Sequence, residues 1–232
     1  MLQVILSDPY LSCLYRSSYE ELDDICGSAS PVVEIGAGSC FSWTTSPDWL
    51  RLDILHDPRL DLRADSLQLP FLSESVGAIV LRDTWHHIPD LPAFLSECTR
   101  VLKPAGKIVV SDPYWGFLAR FVYRHLHQED FDEHVENWRF AAESPWCSNQ
   151  ALAYIALRRD RAVLSQRWPH FSVVEHGPRV GPSFLLSGGV SRRTRVPGRV
   201  LRMLLKFELQ AGKWLNPLRF FFVFELRKEP GT

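Results

Sequence analysis

The sequence predicts an α/β fold, and three observations carry that prediction. Apolar, β-branched runs alternate along the chain with stretches of helical periodicity. One run, Pro31-Val-Val-Glu-Ile35, leads into Gly36-Ala-Gly38, a turn in which glycine lets the backbone fold tightly and come close to a ligand. The 232 residues, 46% hydrophobic and 23% charged, suffice for one sizeable core and exclude a disordered, collagen-like or disulfide-stapled chain.

The elements follow in order. Residues 31–35 form a first buried strand, 49–54 a second, 62–64 a short third, and 76–81 a fourth that ends near Asp83. Apolar residues at 91, 94, 95, 98, 101 and 102 share one helical face, and Lys103-Pro-Ala-Gly106 stops that helix before a fifth strand over 107–110. Residues 114–150 hold aromatics, histidines and acids without a clean period. Residues 151–168 read as helix and 171–175 as strand. A stretch rich in Gly, Pro and Arg spans 177–200, an amphipathic helix spans 196–209, and a last strand spans 220–226. In that late helix Val196, Val200, Met203, Leu204 and Phe207 are expected on the docked face.

Net charge is −1, but it is unevenly spread. Residues 1–150 carry 11 basic and 22 acidic side chains, a net −11, whereas residues 151–232 carry 15 and 5, a net +10. The basic excess includes Arg192, Arg193, Arg195, Arg199, Arg202 and Lys206. A helix docked on the sheet with its cations in water accounts for them most simply. An anionic acceptor or an anionic membrane surface are the functional alternatives. Nucleic acid is not expected, since no RNA-binding module or basic–aromatic motif appears. Five cysteines without C-x-x-C spacing read as reduced thiols of a cytoplasmic protein. Met1 to Leu6 lacks the basic flank of a signal peptide, and no apolar run is long enough to span a bilayer.

The stretch Val32-Val-Glu-Ile-Gly-Ala-Gly-Ser-Cys40 is weak evidence by itself, because nicotinamide sites and structural turns share Gly-x-Gly, and Cys40 or Phe41 replaces a third glycine. The features behind it are more specific. Asp53 ends the second strand, where an acid can accept hydrogen bonds from ribose hydroxyls. Ala64-Asp-Ser-Leu-Gln-Leu-Pro-Phe71 follows, then Ala78-Ile-Val-Leu-Arg-Asp-Thr-Trp-His-His-Ile-Pro89, then Arg100-Val-Leu-Lys-Pro-Ala-Gly-Lys-Ile-Val-Val110. Over residues 31–113 this succession resembles the class I S-adenosylmethionine-dependent methyltransferases, in particular the single-domain type acting on small molecules.

The resemblance implies a Rossmann-like seven-stranded sheet of order 3-2-1-4-5-7-6, with strand 7 antiparallel and helices on both faces. It implies one domain over 1–232, made of a helical cap (1–30), a cofactor-binding core (31–113) and acceptor-side insertions (114–150 and 177–213). Carried over residue by residue, Glu34, Gly36, Ala37 and Gly38 lie around the methionine moiety of S-adenosyl-L-methionine. Asp53 binds the ribose and Ile54 packs on the adenine. Asp65 meets the adenine amino group beside Ser66 and Leu67, Asp83 and Thr84 lie along the methionine end, and Trp85, His86 and His87 face the methyl-transfer region. Cap tyrosines Tyr10, Tyr15 and Tyr19 can reach over the methyl group in such enzymes, although ordinary packing explains them too.

An oxygen acceptor of a sugar or secondary metabolite is expected, with nitrogen and carbon left open. Histidine suits the removal of its proton near neutral pH. His86 and His87 follow the fourth strand, and His125 and His127 lie in the irregular segment; a helix-start histidine bonded to backbone is the plainer reading of the first pair. His125, His127, Glu129, Asp130, Asp132, Glu133 and His134 have the composition of a metal site, but their spacing matches no standard ligand motif; a solvated acidic loop is the plainer reading, and no metal is expected. A nicotinamide-dependent oxidoreductase, or a non-catalytic methyltransferase-like partner protein, are the alternatives. The missing third glycine and the 65–71 stretch speak against the first, and the intact motif against the second. Oligomeric state is not readable from the sequence.

Overall fold

In the computed structural model, residues 1–38, 40–190 and 195–230 are described. Helix α1 (Leu2–Ser7) leads into α2 (Pro9–Cys26), whose first turn is held by the Asp8 carboxylate accepting from the N–H groups of Tyr10 and Leu11 at 2.8 and 3.0 Å. Strands β1 (Val32–Ile35), β2 (Leu50–Asp53), β3 (Leu62–Arg63) and β4 (Val76–Arg82) follow. Helix α3 (Leu91–Val101) starts on an Asp90 cap and runs straight into β5 (Leu102–Pro113). Then come α4 (Phe117–His125), α5 (Leu152–Tyr154), α6 (Arg161–Arg167), β6 (Phe171–Arg179), α7 (Pro182–Ser187), α8 (Gly198–Gln210) and β7 (Phe221–Lys228).

The seven strands form one sheet of order β3-β2-β1-β4-β5-β7-β6. β1 to β5 are mutually parallel, and β7 is antiparallel to both β5 and β6. The expected architecture is therefore present. Both faces are covered, so β4 is buried along its length and its alternate residues feed two cores. Ile79 and Leu81 pack with α3, α5 and Phe224, whereas Ala78 and Val80 pack with α2 and α8.

Several expectations need correction. The Lys103–Gly106 turn does not precede β5 but interrupts it: Val76 pairs with Leu102, and the register resumes with Ala78 opposite Lys107. The 151–168 helix is split, because Ile155–Arg159 winds as a π-helical turn between α5 and α6. Strand β6 runs to Arg179, and α7 lies within the stretch expected to be irregular.

The docked face of α8 differs from the expected one. Leu201, Leu205 and Glu208 are buried, while Met203 and Phe207 are 65% and 54% exposed. Glu208 faces inward because its carboxylate accepts from Gly181 N–H (2.9 Å), Ser183 N–H (2.7 Å) and the Ser183 hydroxyl (2.6 Å), anchoring the start of α7. Arg192 and Arg193 lie outside the described residues.

Candidate active site

The carboxyl ends of β1, β2, β4 and β5 meet along one edge of the sheet, where ligands bind in open α/β folds. The turn after β1 begins at Gly36, whose φ of 71° lies in the left-handed region. A Cβ at Gly36 would lie 2.3 Å from both Oγ1 and Cγ2 of Thr84, so the residue type is fixed by conformation and by space. Gly38 N–H donates to Asp53 Oδ2 at 2.9 Å, and Leu55 N–H donates to Oδ1 at 2.9 Å. The first turn and the end of β2 are thereby held together. Cys40, at the place of the absent third glycine, is buried and takes a left-handed φ of 53°.

Glu34 is enclosed. Its carboxylate accepts from the Tyr19 hydroxyl at 2.5 Å and from the Ser42 hydroxyl, and burial raises its pKa against those donors. It ties α2 to the turn rather than facing the sheet edge with an unengaged oxygen. Ala37 is buried in the turn. Ile54 is 46% exposed, an apolar surface beside Asp53 suited to a flat base. Asp65 is exposed and accepts from Leu67 N–H at 2.8 Å, with Ser66 between them.

Asp83 has a φ of 54° and pairs with the buried Arg82 guanidinium at 2.7 Å; that guanidinium lies 3.8 Å above the Tyr15 ring. Trp85 is fully buried, edge-on to Phe94 and Phe224, and this packing places its ring in the core. Tyr10 bonds Ser183 at 3.0 Å, Tyr15 lies under the Arg82 guanidinium and Tyr19 bonds Glu34, so all three cap tyrosines are buried and engaged by other side chains.

A second constellation stands beside this turn. His86 and His87 form a single 3₁₀ turn after β4. His86 Nδ1 bonds Asp112 Oδ1 at 2.8 Å, and Nε2 lies 3.4 Å from Glu129 Oε2. His87 Nδ1 donates to the Cys147 carbonyl at 3.1 Å. Glu129 Oε2 also accepts from Ser148 Oγ at 3.1 Å and from the Gln150 amide. Asn149 N–H donates to the His86 carbonyl at 2.8 Å, locking the 147–150 loop to the turn.

Charge is concentrated here. Burial alone would lower the His86 pKa, but the Asp112 and Glu129 carboxylates outweigh it and push it up to about 10. Glu129 is raised by burial, yet the neighbouring His86 charge holds it down at about 2. His87 is lowered by burial and by the adjacent His86. His127 is lowered chiefly by burial, and its Nδ1 accepts from Glu129 N–H at 3.2 Å. His125 is exposed, its ring 5.1 Å from Phe121, and it is not part of this constellation. Glu129 is expected from the sequence in a solvated acidic loop, and Asp112 carries no expected role. The histidines pointed to the place, but their carboxylate partners lie on β5 and on an irregular loop, beyond any local spacing.

A cleft of about 320 Å³ opens next to Glu129. Its walls include Asp130, Asp132, Ser148 and Asn149 together with Phe140 and Trp146. Its described lining contains no basic side chain.

Residues 26–110 match the family model described as a methyltransferase domain. Over 57 residues the chain is 42% identical to an S-adenosylmethionine-dependent methyltransferase from Mycolicibacterium smegmatis; the match spans 24% of this chain and only 22% of that protein. Among solved structures, a SAM dependent methyltransferase from Archaeoglobus fulgidus aligns with a TM-score of 0.54 at 12% identity, over 93% of each chain. An S-adenosylmethionine dependent methyltransferase from Mesorhizobium loti aligns at 0.50 and 14% identity, over 91% of this chain and 98% of that one. At such identities the structures speak for the fold alone.

Proposed function

We propose that this chain, which carries a methyltransferase domain on the class I S-adenosylmethionine-dependent methyltransferase fold, transfers a methyl group from S-adenosylmethionine to a hydroxyl oxygen of a small, polyhydroxylated acceptor. The observation that carries this reading is the join between Gly38 and Asp53 at the same sheet edge as the His86–Glu129 constellation.

The residues fit the donor. Gly36 admits the Thr84 side chain against the turn, and Gly38 brings the turn up to the Asp53 carboxylate. The Asp53 carboxylate has lone pairs beyond the two N–H groups it accepts, available to ribose hydroxyls. Ile54 and Asp65 offer an apolar face and an acceptor for the base. When bound, S-adenosylmethionine supplies an activated methyl group on a cationic sulfur. Transfer of that group depends on holding two reactants close and aligned more than on elaborate acid–base machinery.

On the acceptor side, the carboxylates, the Asn149 amide and the Trp146 ring of the cleft suit hydroxyls and the flat face of a sugar ring. His86 is held as an imidazolium between two carboxylates at neutral pH, so it orients and neutralises charge. His87, kept neutral with its Nδ1–H on the Cys147 carbonyl, holds the unprotonated ring nitrogen of the His86–His87 pair. Incubation with methyl-labelled S-adenosylmethionine and a panel of sugars, polyols, amines and phenols tests this reading. Label in an ether product supports it, and label only in amines overturns the oxygen assignment.

An anionic acceptor group meets no cation in the cleft's described lining. The outward side of α8 is different. It presents Arg199, Arg202 and Lys206 with Met203 and Phe207, and Phe207 lies 6.2 Å from the exposed Trp214. We assign that basic, apolar face to an anionic bilayer.

A further inference from the structure

We infer that His86, His87 and Glu129 form a binding site for a divalent transition-metal cation of the zinc type, with a coordination position left open toward the acceptor cleft. The three side chains each offer one ligand atom within 4.8 Å of the others. This set is distinct from the residue 125–134 run, since two of its members come from the turn after β4.

His87 is set in the tautomer a metal needs, and His86 reaches it when an incoming cation displaces its Nε2 proton. His86 gives its Nδ1 to the wholly buried Asp112, leaving Nε2 toward Glu129. His87 gives its Nδ1–H to the Cys147 carbonyl, leaving Nε2 as its lone-pair nitrogen. A ligating histidine ordinarily donates its other N–H to a carboxylate or a backbone carbonyl, and here one of each is present. Glu129 is likewise held by Ser148 and Gln150.

The spacing agrees. His86 Nε2 and Glu129 Oε2 stand 3.4 Å apart, which is long for a charge-assisted hydrogen bond. It matches the edge of a tetrahedron whose metal–ligand bonds are about 2.1 Å. Asp112 Oδ2 is buried with no hydrogen-bond partner, so the carboxylate behind His86 is not consumed by other donors. Two imidazoles and one carboxylate, with an open fourth position, make a ligand set typical of catalytic zinc sites. Glu129 lines the cleft of about 320 Å³, so an acceptor oxygen entering there could occupy that position. Cation binding itself does not depend on the methyltransferase reading, whereas this last consequence rests on it.

The test uses the whole chain, stripped with a chelator and titrated with Co²⁺ and then Zn²⁺. One equivalent of Co²⁺ should give visible d–d absorption that Zn²⁺ abolishes. Glu129→Gln and His87→Gln should each weaken Co²⁺ binding at least about tenfold, and Asp112→Asn about tenfold or more. His134→Ala should leave it unchanged. Circular dichroism establishes which variants are folded, and His87→Gln, at a partly exposed position, carries the test if a buried variant fails. Absence of absorption and of calorimetric heat at millimolar cation, or equal binding by folded His87→Gln and the parent, overturns the site. Methyl-donor binding, measured in parallel, stays intact if only the metal inference fails.

Discussion

Thr84 stands against Gly36 so closely that no other side chain fits at the glycine: a Cβ there would lie 2.3 Å from Thr84 Oγ1 and Cγ2. The Thr84 hydroxyl also points back to the Gly36 carbonyl, at 3.4 Å. The contact joins the turn after β1 to the end of β4, and so joins the proposed donor side of the site to the histidine turn.

Gly36→Ala is therefore expected to lower stability by about 2–4 kcal/mol, through overpacking and a left-handed φ. Thr84→Ala in the same chain should restore part of the loss but not the part due to backbone conformation. Chemical denaturation of the two single variants and the double variant measures the coupling. Additive losses would show that the two residues do not meet as described.

His86 titrates far from an ordinary histidine in the metal-free chain. Its pKa is raised to about 10, so its pairing with Asp112 stabilises the fold fully below about pH 6.5 and ceases to do so as pH rises through about 10. Proton–carbon NMR of the imidazole should show an imidazolium at neutral pH that loses its proton only in strongly alkaline solution. An ordinary titration between pH ~6 and ~7 would remove the two-carboxylate clamp from the account.

The outward face of α8 should bind vesicles containing anionic lipid and not neutral ones, with binding weakened by salt. Phe207→Ser or Trp214→Ser should each reduce sedimentation with anionic vesicles about tenfold. Lys206→Glu should reduce it as well. Equal binding to neutral vesicles, or none to either, would return that face to plain solvent exposure.

Much of the fold was legible because buried parallel strands write continuous apolar runs: β1, β4 and the second half of β5 stand where Val32–Ile35, Val76–Leu81 and Lys107–Val110 pointed. Helix α8 was legible as a helix but not in its orientation. It carries apolar residues on two sides, and the choice between them is made by Glu208, whose partners Gly181 and Ser183 lie on another element. The proposed donor side of the site follows local order, since a glycine turn and Asp53 sit at consecutive strand ends. The acceptor side does not. His86 was visible as a histidine after a strand, but its chemistry comes from Asp112 and Glu129, brought to it by the sheet and by the 147–150 loop. Trp85, adjacent in sequence, lies in the core, where its ring packs edge-on against Phe94 and Phe224.

Isothermal calorimetry of the whole chain with S-adenosylmethionine and with S-adenosylhomocysteine tests the central claim most directly. The account predicts one molecule bound per chain, and loss of binding in a folded Asp53→Ala variant. No heat at millimolar S-adenosylmethionine, together with ready binding of NADH, would contradict it and assign the Gly36–Gly38 turn to a nicotinamide cofactor instead.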